Sequence, residues 1–200
     1  MERTDLRRGA WLDHDPEWLA PEDADALLAQ LRDGTPWQER AIVVFGREVL
    51  QPRLVAWYGE LPYRYSGQTL EPRPEPDAVR RLREQVSEVA GTAFNHVVLN
   101  LYRDGGDHVA LHSDSEPELG REPVIASLSL GARRRFVLQP KRKRRYRKRL
   151  WLTHGSLLVM GGTLQHLWRH EVPREPAVTE ARVNVTFRRL LGPPGWRPSR

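Results

Sequence analysis

The residues with the clearest chemical potential are His112 and Asp114, at the end of V-V-L-N-L-Y-R-D-G-G-D-H-V-A-L-H-S-D (Val97 to Asp114). Strand alternation puts His108, Ala110, His112 and Asp114 on one face. On the preceding strand it places Asn100 and Tyr102 on one face and Val97, Leu99 and Leu101 on the other. The turn Asp104-Gly105-Gly106-Asp107 predicts a hairpin joining the two strands. An imidazole and a carboxylate at this spacing can converge on one cation. A second histidine would complete the two-histidine, one-carboxylate set that binds non-haem Fe(II) and leaves one face of the metal open. H-x-D also occurs on ordinary surfaces, so the rest of the constellation decides. By residue type alone, His154, His166 and His170 are equivalent candidates for the third ligand.

The closing strand, A-R-V-N-V-T-F-R-R-L, strengthens the case. Arg182, Asn184, Thr186 and Arg188 share one face, and Val183, Val185 and Phe187 share the other. Two inward guanidinium groups need anions, because unpaired buried charge is expensive. A dicarboxylate co-substrate offers one at each end, and arginine's planar fork suits a carboxylate. Upstream, Arg53, Trp57, Tyr58, Tyr63 and Tyr65 concentrate cationic and aromatic groups that could sandwich a base or simply pack a sheet.

The elements that must position these groups follow from pattern. P-E-D-A-D-A-L-L-A-Q-L-R-D-G predicts a helix with Ala24, Leu27, Leu28 and Leu31 inward, to lie across the back of a sheet. Asp77 is the expected N-cap of a second helix ending at Gly91, with Val79, Leu82, Val86 and Val89 as its buried stripe. From Phe94 onward the chain reads as short strands and turns, the mark of a sandwich or barrel. R-R-F-V-L-Q and R-L-W-L-T predict a hairpin, and Q-H-L-W-R-H-E-V-P reads as a strand. The fold class is therefore mainly β with flanking helices (α+β).

Two hundred residues suit one domain, and 39% hydrophobic with 29% charged residues is a globular composition. The absence of cysteine excludes disulfides, zinc-thiolate sites and thiol catalysis. No run is apolar enough to span a bilayer, and the opening M-E-R-T-D-L-R-R lacks the apolar segment of a signal peptide. The expectation is a cytoplasmic protein, nuclear in a eukaryote, with no membrane partner. Of the 32 basic residues, eight lie in Lys141 to Arg149, and without them the net charge of +6 becomes −2. Any polyanionic partner must therefore meet that loop: Lys141, Arg142, Lys143, Arg144, Arg145, Arg147, Lys148 and Arg149.

The ordered set N-L-Y-R-D-G-G-D-H-V-A-L-H-S-D-S-E, P-V-I-A-S-L-S-L-G, G-S-L-L-V-M, W-R-H-E-V-P and R-V-N-V-T-F-R resembles the AlkB family of Fe(II)/2-oxoglutarate-dependent nucleic-acid dealkylases. Q-P-R-L-V-A-W-Y-G-E-L-P-Y-R-Y-S extends the likeness toward its DNA-repair members, so that it covers about residues 42 to 190. The resemblance implies a double-stranded β-helix (jelly-roll) core over residues 93–191, a recognition region of helices and hairpins over 1–92, and a tail from 192. It implies His112, Asp114 and His170 as ligands of Fe(II), with O₂ and 2-oxoglutarate as co-substrates. Arg182 would hold the distal carboxylate of 2-oxoglutarate and Arg188 its metal-side end, with Asn100, Tyr102 and Asn184 completing the pocket. Glu116, Arg53, Tyr63 and Tyr65 would face the substrate base, and Phe45 resembles a finger residue inserted into a base stack.

The implied activity is oxidative demethylation of 1-methyladenine and 3-methylcytosine in alkylated DNA, by a monomer. The alternatives are demethylation of RNA, oxidation of a protein side chain, or a non-catalytic nucleic-acid binding module. Two positions depart from the DNA-repair pattern. Ser115 stands where those homologues carry a second acid, and only Arg174-Glu175-Pro176 follows the W-x-H-x-x-P motif where some carry a basic patch.

Overall fold

Apolar and β-branched alternation writes most of this chain as strands. The computed structural model describes residues 1–44, 47–65, 68–143 and 145–192. Strands β1 (Glu2–Leu6) and β2 (Ala10–Asp15) precede helix α1 (Pro21–Gly34). Next come β3 (Gln38–Val44), β4 (Arg47–Gly59), β5 (Tyr63–Tyr65), β6 (Gln68–Leu70) and helix α2 (Asp77–Ala90). The second half contains β7 (His96–Tyr102), β8 (Val109–His112), β9 (Ile125–Gly131), β10 (Arg134–Pro140) and β11 (Lys148–Leu152). It ends with β12 (Ser156–Gly162), the single-turn α3 (Leu164–Leu167), β13 (Trp168–Val172) and β14 (Arg182–Arg188).

Two antiparallel sheets face each other as a jelly roll. The major sheet runs β1-β2-β12-β9-β14-β7-β4-β3 and the minor sheet β11-β10-β13-β8. Between them lie Val98, Tyr102, Ile125 and Met160 from the major sheet and Phe136, Leu138, Leu152 and Trp168 from the minor one. The opposite face of the major sheet presents Val97, Leu99, Val183, Val185 and Phe187 to Ala24 and Leu31 of α1 and Val79, Leu82 and Val86 of α2. The alternation expected for β7 and β14 therefore holds: their apolar sets meet the helices, and their polar sets face the space between the sheets.

The Asp104–Asp107 turn does not close a hairpin. β7 and β8 lie in different sheets, so this turn carries the chain from one to the other. Instead of a strand partner, the turn bonds to the loop after β13: Gly105 N–H donates to Val178 O (2.8 Å) and Glu175 N–H to Gly105 O (2.8 Å). A Cβ at Gly105 would lie 1.8 Å from Glu175 O, which explains the glycine. Arg134, wholly buried, ties the crossing together. It donates to the carbonyls of Asp104 (3.1 Å), Asp107 (2.8 Å) and Pro173 (2.8 Å) and pairs with Glu175 at 3.2 Å.

Other expectations need correction at the elements. α2 begins at Asp77, with Pro76 at the cap position and no side-chain cap; Asp77 bonds Arg80 instead (2.7 Å). Val89 is exposed rather than part of the buried stripe. The segment from Leu164 opens as the α3 turn before becoming strand β13. β1 and β2, where no strand is expected, form a hairpin over the positive-φ turn Arg8-Gly9 and extend the major sheet beside β12. The expected β10–β11 hairpin is present.

Replacing Arg134 with Met should lower unfolding free energy by about 3–5 kcal/mol, as expected for removing one partner of a buried ion pair; urea denaturation measures it. Burial pushes the Glu175 carboxyl up, but bonds from Arg135 and Arg134 outweigh it and hold the group below its ordinary 4.5. Its contribution is therefore present above that pH and lost as pH falls through the folded value, so the Arg134→Met penalty should shrink in acid.

Candidate active site

β8 and β13 pair so that His112 lies directly opposite His170, their rings 4.3 Å apart. Alternation fails along β8. Ala110 is exposed, whereas Val109 and His112 both line the cavity between the sheets. The cause is a register shift, since His170 pairs His112 but Val172 pairs Val109. Asp114 lies just past the end of β8 and is buried. One ligand atom from each of His112, Asp114 and His170 lies within 4.8 Å of the others. His112 Nε2 is 3.7 Å from Asp114 Oδ1, and His170 Nε2 is 4.0 Å from Oδ2. The His112 Nδ1–H donates to Ala110 O (2.8 Å), which leaves the Nε2 lone pair pointing into the cluster.

This geometry separates histidines that residue type could not. His154 accepts from Gly131 N–H (2.8 Å) and faces Asp25 of α1. His166 bonds Arg121 O. Among the described residues only His170 joins His112 and Asp114.

The electrostatics suit a cation. Burial alone would raise the Asp114 carboxyl, but Arg188, His170 and His112 pull it down to about 2, so it is ionised. Arg188 Nη2 lies 3.4 Å from Asp114 Oδ1. Burial, then His112, push His170 down to about 3, which keeps its imidazole neutral and able to donate a lone pair to a metal.

The adjoining cavity, about 50 Å³, is lined by Asn100, Tyr102, Arg182, Asn184 and Arg188 on the major sheet and by Phe136 and Leu152 on the minor one. Arg182 is wholly enclosed. Its Nη2 donates to Ser129 Oγ (2.8 Å) and its guanidinium lies 5.0 Å from the Tyr102 ring. Nε and Nη1 find no hydrogen-bond acceptor among the described residues. Leaving such donors bare costs about 1–3 kcal/mol or more for a charged group, so the slot calls for an anion. Hard anionic oxygen beside two imidazoles and one carboxylate fits Fe(II) with a carboxylate co-substrate. A larger open groove of about 650 Å³, lined by Asp25, Trp151, His154 and Glu180, lies outside this site.

The remaining expected residues fall into distinct places. Asn184 Nδ2 donates to Ser127 Oγ (2.8 Å) and Leu128 O (2.9 Å), so its donors are committed to β9. Arg53 is buried and donates from Nε to Asn100 Oδ1 (2.8 Å), behind the pocket wall. Tyr63 is fully buried and packs edge-on against His96. Burial and then Asp114 raise the Glu116 carboxyl. Phe45 and Arg144 lie outside the described residues, as does the Tyr65 side chain. Lys141 is half-buried on α3 and Lys148 half-buried in β11, while Arg142, Lys143, Arg145, Arg147 and Arg149 are exposed. Sequence reasoning missed Ser127 and Ser129, although A-S-L-S-L alternates polar side chains along a buried strand. It also missed Arg134 and Gln165, for which no local signal exists.

Comparison with known proteins agrees with this geometry. The model of the 2OG-Fe(II) oxygenase superfamily matches residues 12–188. The chain is 43% identical to the Homo sapiens alpha-ketoglutarate-dependent dioxygenase alkB homolog 3 over 92% of its own length and 67% of that protein. It is 39% identical to the Homo sapiens DNA oxidative demethylase ALKBH2, covering 84% of this chain and 69% of the relative. The chain thus spans about two thirds of the length of these curated relatives. The solved structure of OsALKBH1 superposes with a TM-score of 0.68 at 16% identity, over 93% of this chain and all of that one, which shows the shared fold. A His–Asp–His cluster able to hold a metal, an enclosed arginine lining the same cavity and these likenesses together place the chain in the AlkB family of 2-oxoglutarate/Fe(II) dioxygenases.

Proposed function

We propose that the protein oxidatively demethylates N-alkylated bases, 1-methyladenine and 3-methylcytosine among them, in DNA, acting as a monomer in the cytoplasm or nucleus. Residues 1–92 would shape substrate recognition and residues 93–191 carry the chemistry. The observation that carries this reading is the convergence of His112, Asp114 and His170 beside the enclosed Arg182. The likeness to relatives named as DNA oxidative demethylases supports the substrate class.

When bound, Fe(II) with 2-oxoglutarate and O₂ supplies hydroxylation of an N-linked methyl carbon, after which the carbon leaves as formaldehyde. The side chains supply placement. His112, Asp114 and His170 hold the metal, and Arg182 binds the far carboxylate of the co-substrate through Nε and Nη1. Tyr102 flanks that carboxylate slot. Arg188 keeps Asp114 ionised and lies toward the metal-side end. Phe136, Leu152 and Met160 wall the cavity against water. Glu116 favours a base made cationic by methylation of its pairing edge. Such a base pairs badly and is therefore cheaper to extract from the stack. Arg142, Lys143, Arg145, Arg147 and Arg149 grip phosphates without reading sequence.

The direct test incubates the protein with Fe(II), 2-oxoglutarate and matched single- and double-stranded DNA and RNA oligonucleotides bearing 1-methyladenine, following methyl loss by mass. Turnover on DNA is expected, and absence of turnover on every oligonucleotide would refute the reading. Asp114→Ala should abolish formaldehyde release while leaving the DNA dissociation constant unchanged. Arg182→Met should raise the KM for 2-oxoglutarate by about 10- to 100-fold, the loss expected for charge-assisted bonds. Neutralising Lys143, Arg145 and Arg147 together should weaken DNA binding and flatten the slope of log K against log salt by about 2 to 3.

A further inference from the structure

Gln165, in α3, touches the metal-binding segment from behind. It is 1% exposed, and its Oε1 accepts the backbone N–H of Asp114 at 3.1 Å. Asp114 lies beyond the end of β8, so this amide bond supports a stretch of backbone that the strand ladder has already left. The donor fixes the orientation of the Gln165 amide: Oε1 must face Asp114, which sends Nε2 the other way. There Nε2 is buried with no hydrogen-bond partner among the described residues. An unmet buried donor costs about 1–3 kcal/mol. A side chain present only to fill volume would be served better by Met or Leu.

The α3 turn that carries Gln165 is itself braced. Lys141, the first residue of the basic loop, donates its Nζ to Gln165 O at 2.9 Å and its backbone N–H to Leu167 O at 2.8 Å. Burial, then the neighbouring Arg169, lower the Lys141 ammonium, in keeping with a lysine drawn out of solvent. Ser113 Oγ adds a bond to Trp168 O at 2.8 Å, so the residues on either side of the metal segment's turn are tied to α3 and to the start of β13.

We propose that Gln165 is a positioning residue for the metal carboxylate, aiming Asp114 through its backbone, and that Lys141 is the strut behind Gln165 rather than a phosphate contact. The proposal rests on the metal-site reading above. Partners that orient a metal ligand are typically worth about 10–100-fold in metal affinity or activity. The mechanical route is short: Lys141 holds the turn, the turn holds the amide, and the amide holds the peptide plane from which the carboxylate projects. Gln165 touches neither metal nor substrate.

The experiment is a calorimetric Mn(II) titration of the full chain without nucleic acid or 2-oxoglutarate, accompanied by the Mn(II) electron paramagnetic resonance spectrum and a thermal melt. Gln165→Met, which keeps the volume and removes the acceptor, should raise the Mn(II) dissociation constant about tenfold or more and broaden the spectrum. Gln165→Glu retains an oxygen acceptor and should stay within about threefold of wild type. Lys141→Met should weaken Mn(II) by a few-fold although no phosphate is present, which a phosphate-gripping lysine could not do. Wild-type affinity in Gln165→Met, or equal losses in Gln165→Met and Gln165→Glu, overturns the proposal. If Gln165→Met does not fold, wild-type affinity in Lys141→Met overturns it. If the wild-type protein itself fails to take up Mn(II), the metal site is wrong and the inference falls with it.

Discussion

The carboxylate of Asp114 is enclosed and ionised, and the surrounding structure is arranged to make that tolerable. An isolated carboxylate taken out of water would neutralise itself. Here Arg188 lies 3.4 Å from it, and the imidazoles of His112 and His170 stand beside it. His170 does not compensate it as a cation, because burial holds that imidazole down to about 3. What suits two imidazoles and an ionised carboxylate at these distances is a divalent metal. Next to it, Arg182 poses the mirror problem, a buried cation with two nitrogens that meet no acceptor among the described residues. A divalent metal would supply positive charge at the first site, and a dicarboxylate would supply negative charge at the second.

The jelly roll makes this juxtaposition possible. His112 and His170 come from β8 and β13 of the minor sheet, with Asp114 just past β8, and Asn100, Tyr102, Arg182 and Arg188 come from β7 and β14 of the major sheet. No local segment could present both. The two sets meet because the turn at Asp104–Asp107 crosses between sheets, held by Arg134 and Glu175 on the far side of the site. That juxtaposition rests on an ion pair that lies outside the His112–Asp114–His170 cluster. Gln165 plays the corresponding role on the near side, where β8 has ended and its ladder no longer supports Asp114.

Much of this was legible in the residues. The polar faces of β7 and β14 follow from strict alternation, which survives because both strands are long, central and paired on each side. The AlkB resemblance identified His170, whereas spacing alone left His154 and His166 equal to it. What alternation could not foresee were breaks in the ladder. The β8–β13 register shift moved Val109 into the cavity and Ala110 out, and the D-G-G-D turn, a hairpin by local chemistry, was recruited by Arg134 from elsewhere in the chain. Arg53 is buried and bonds Asn100 of the cavity wall, a partner 47 residues away in the chain. Long-range partners of this kind leave no mark on a single sequence.

The central assignment is where metal and co-substrate bind. A crystal structure grown anaerobically with Fe(II) and 2-oxoglutarate measures that directly. It should show one iron held by His112 Nε2, Asp114 and His170 Nε2, with the co-substrate's far carboxylate against Nε and Nη1 of Arg182. Iron on other residues, or a co-substrate bound away from Arg182, would contradict it.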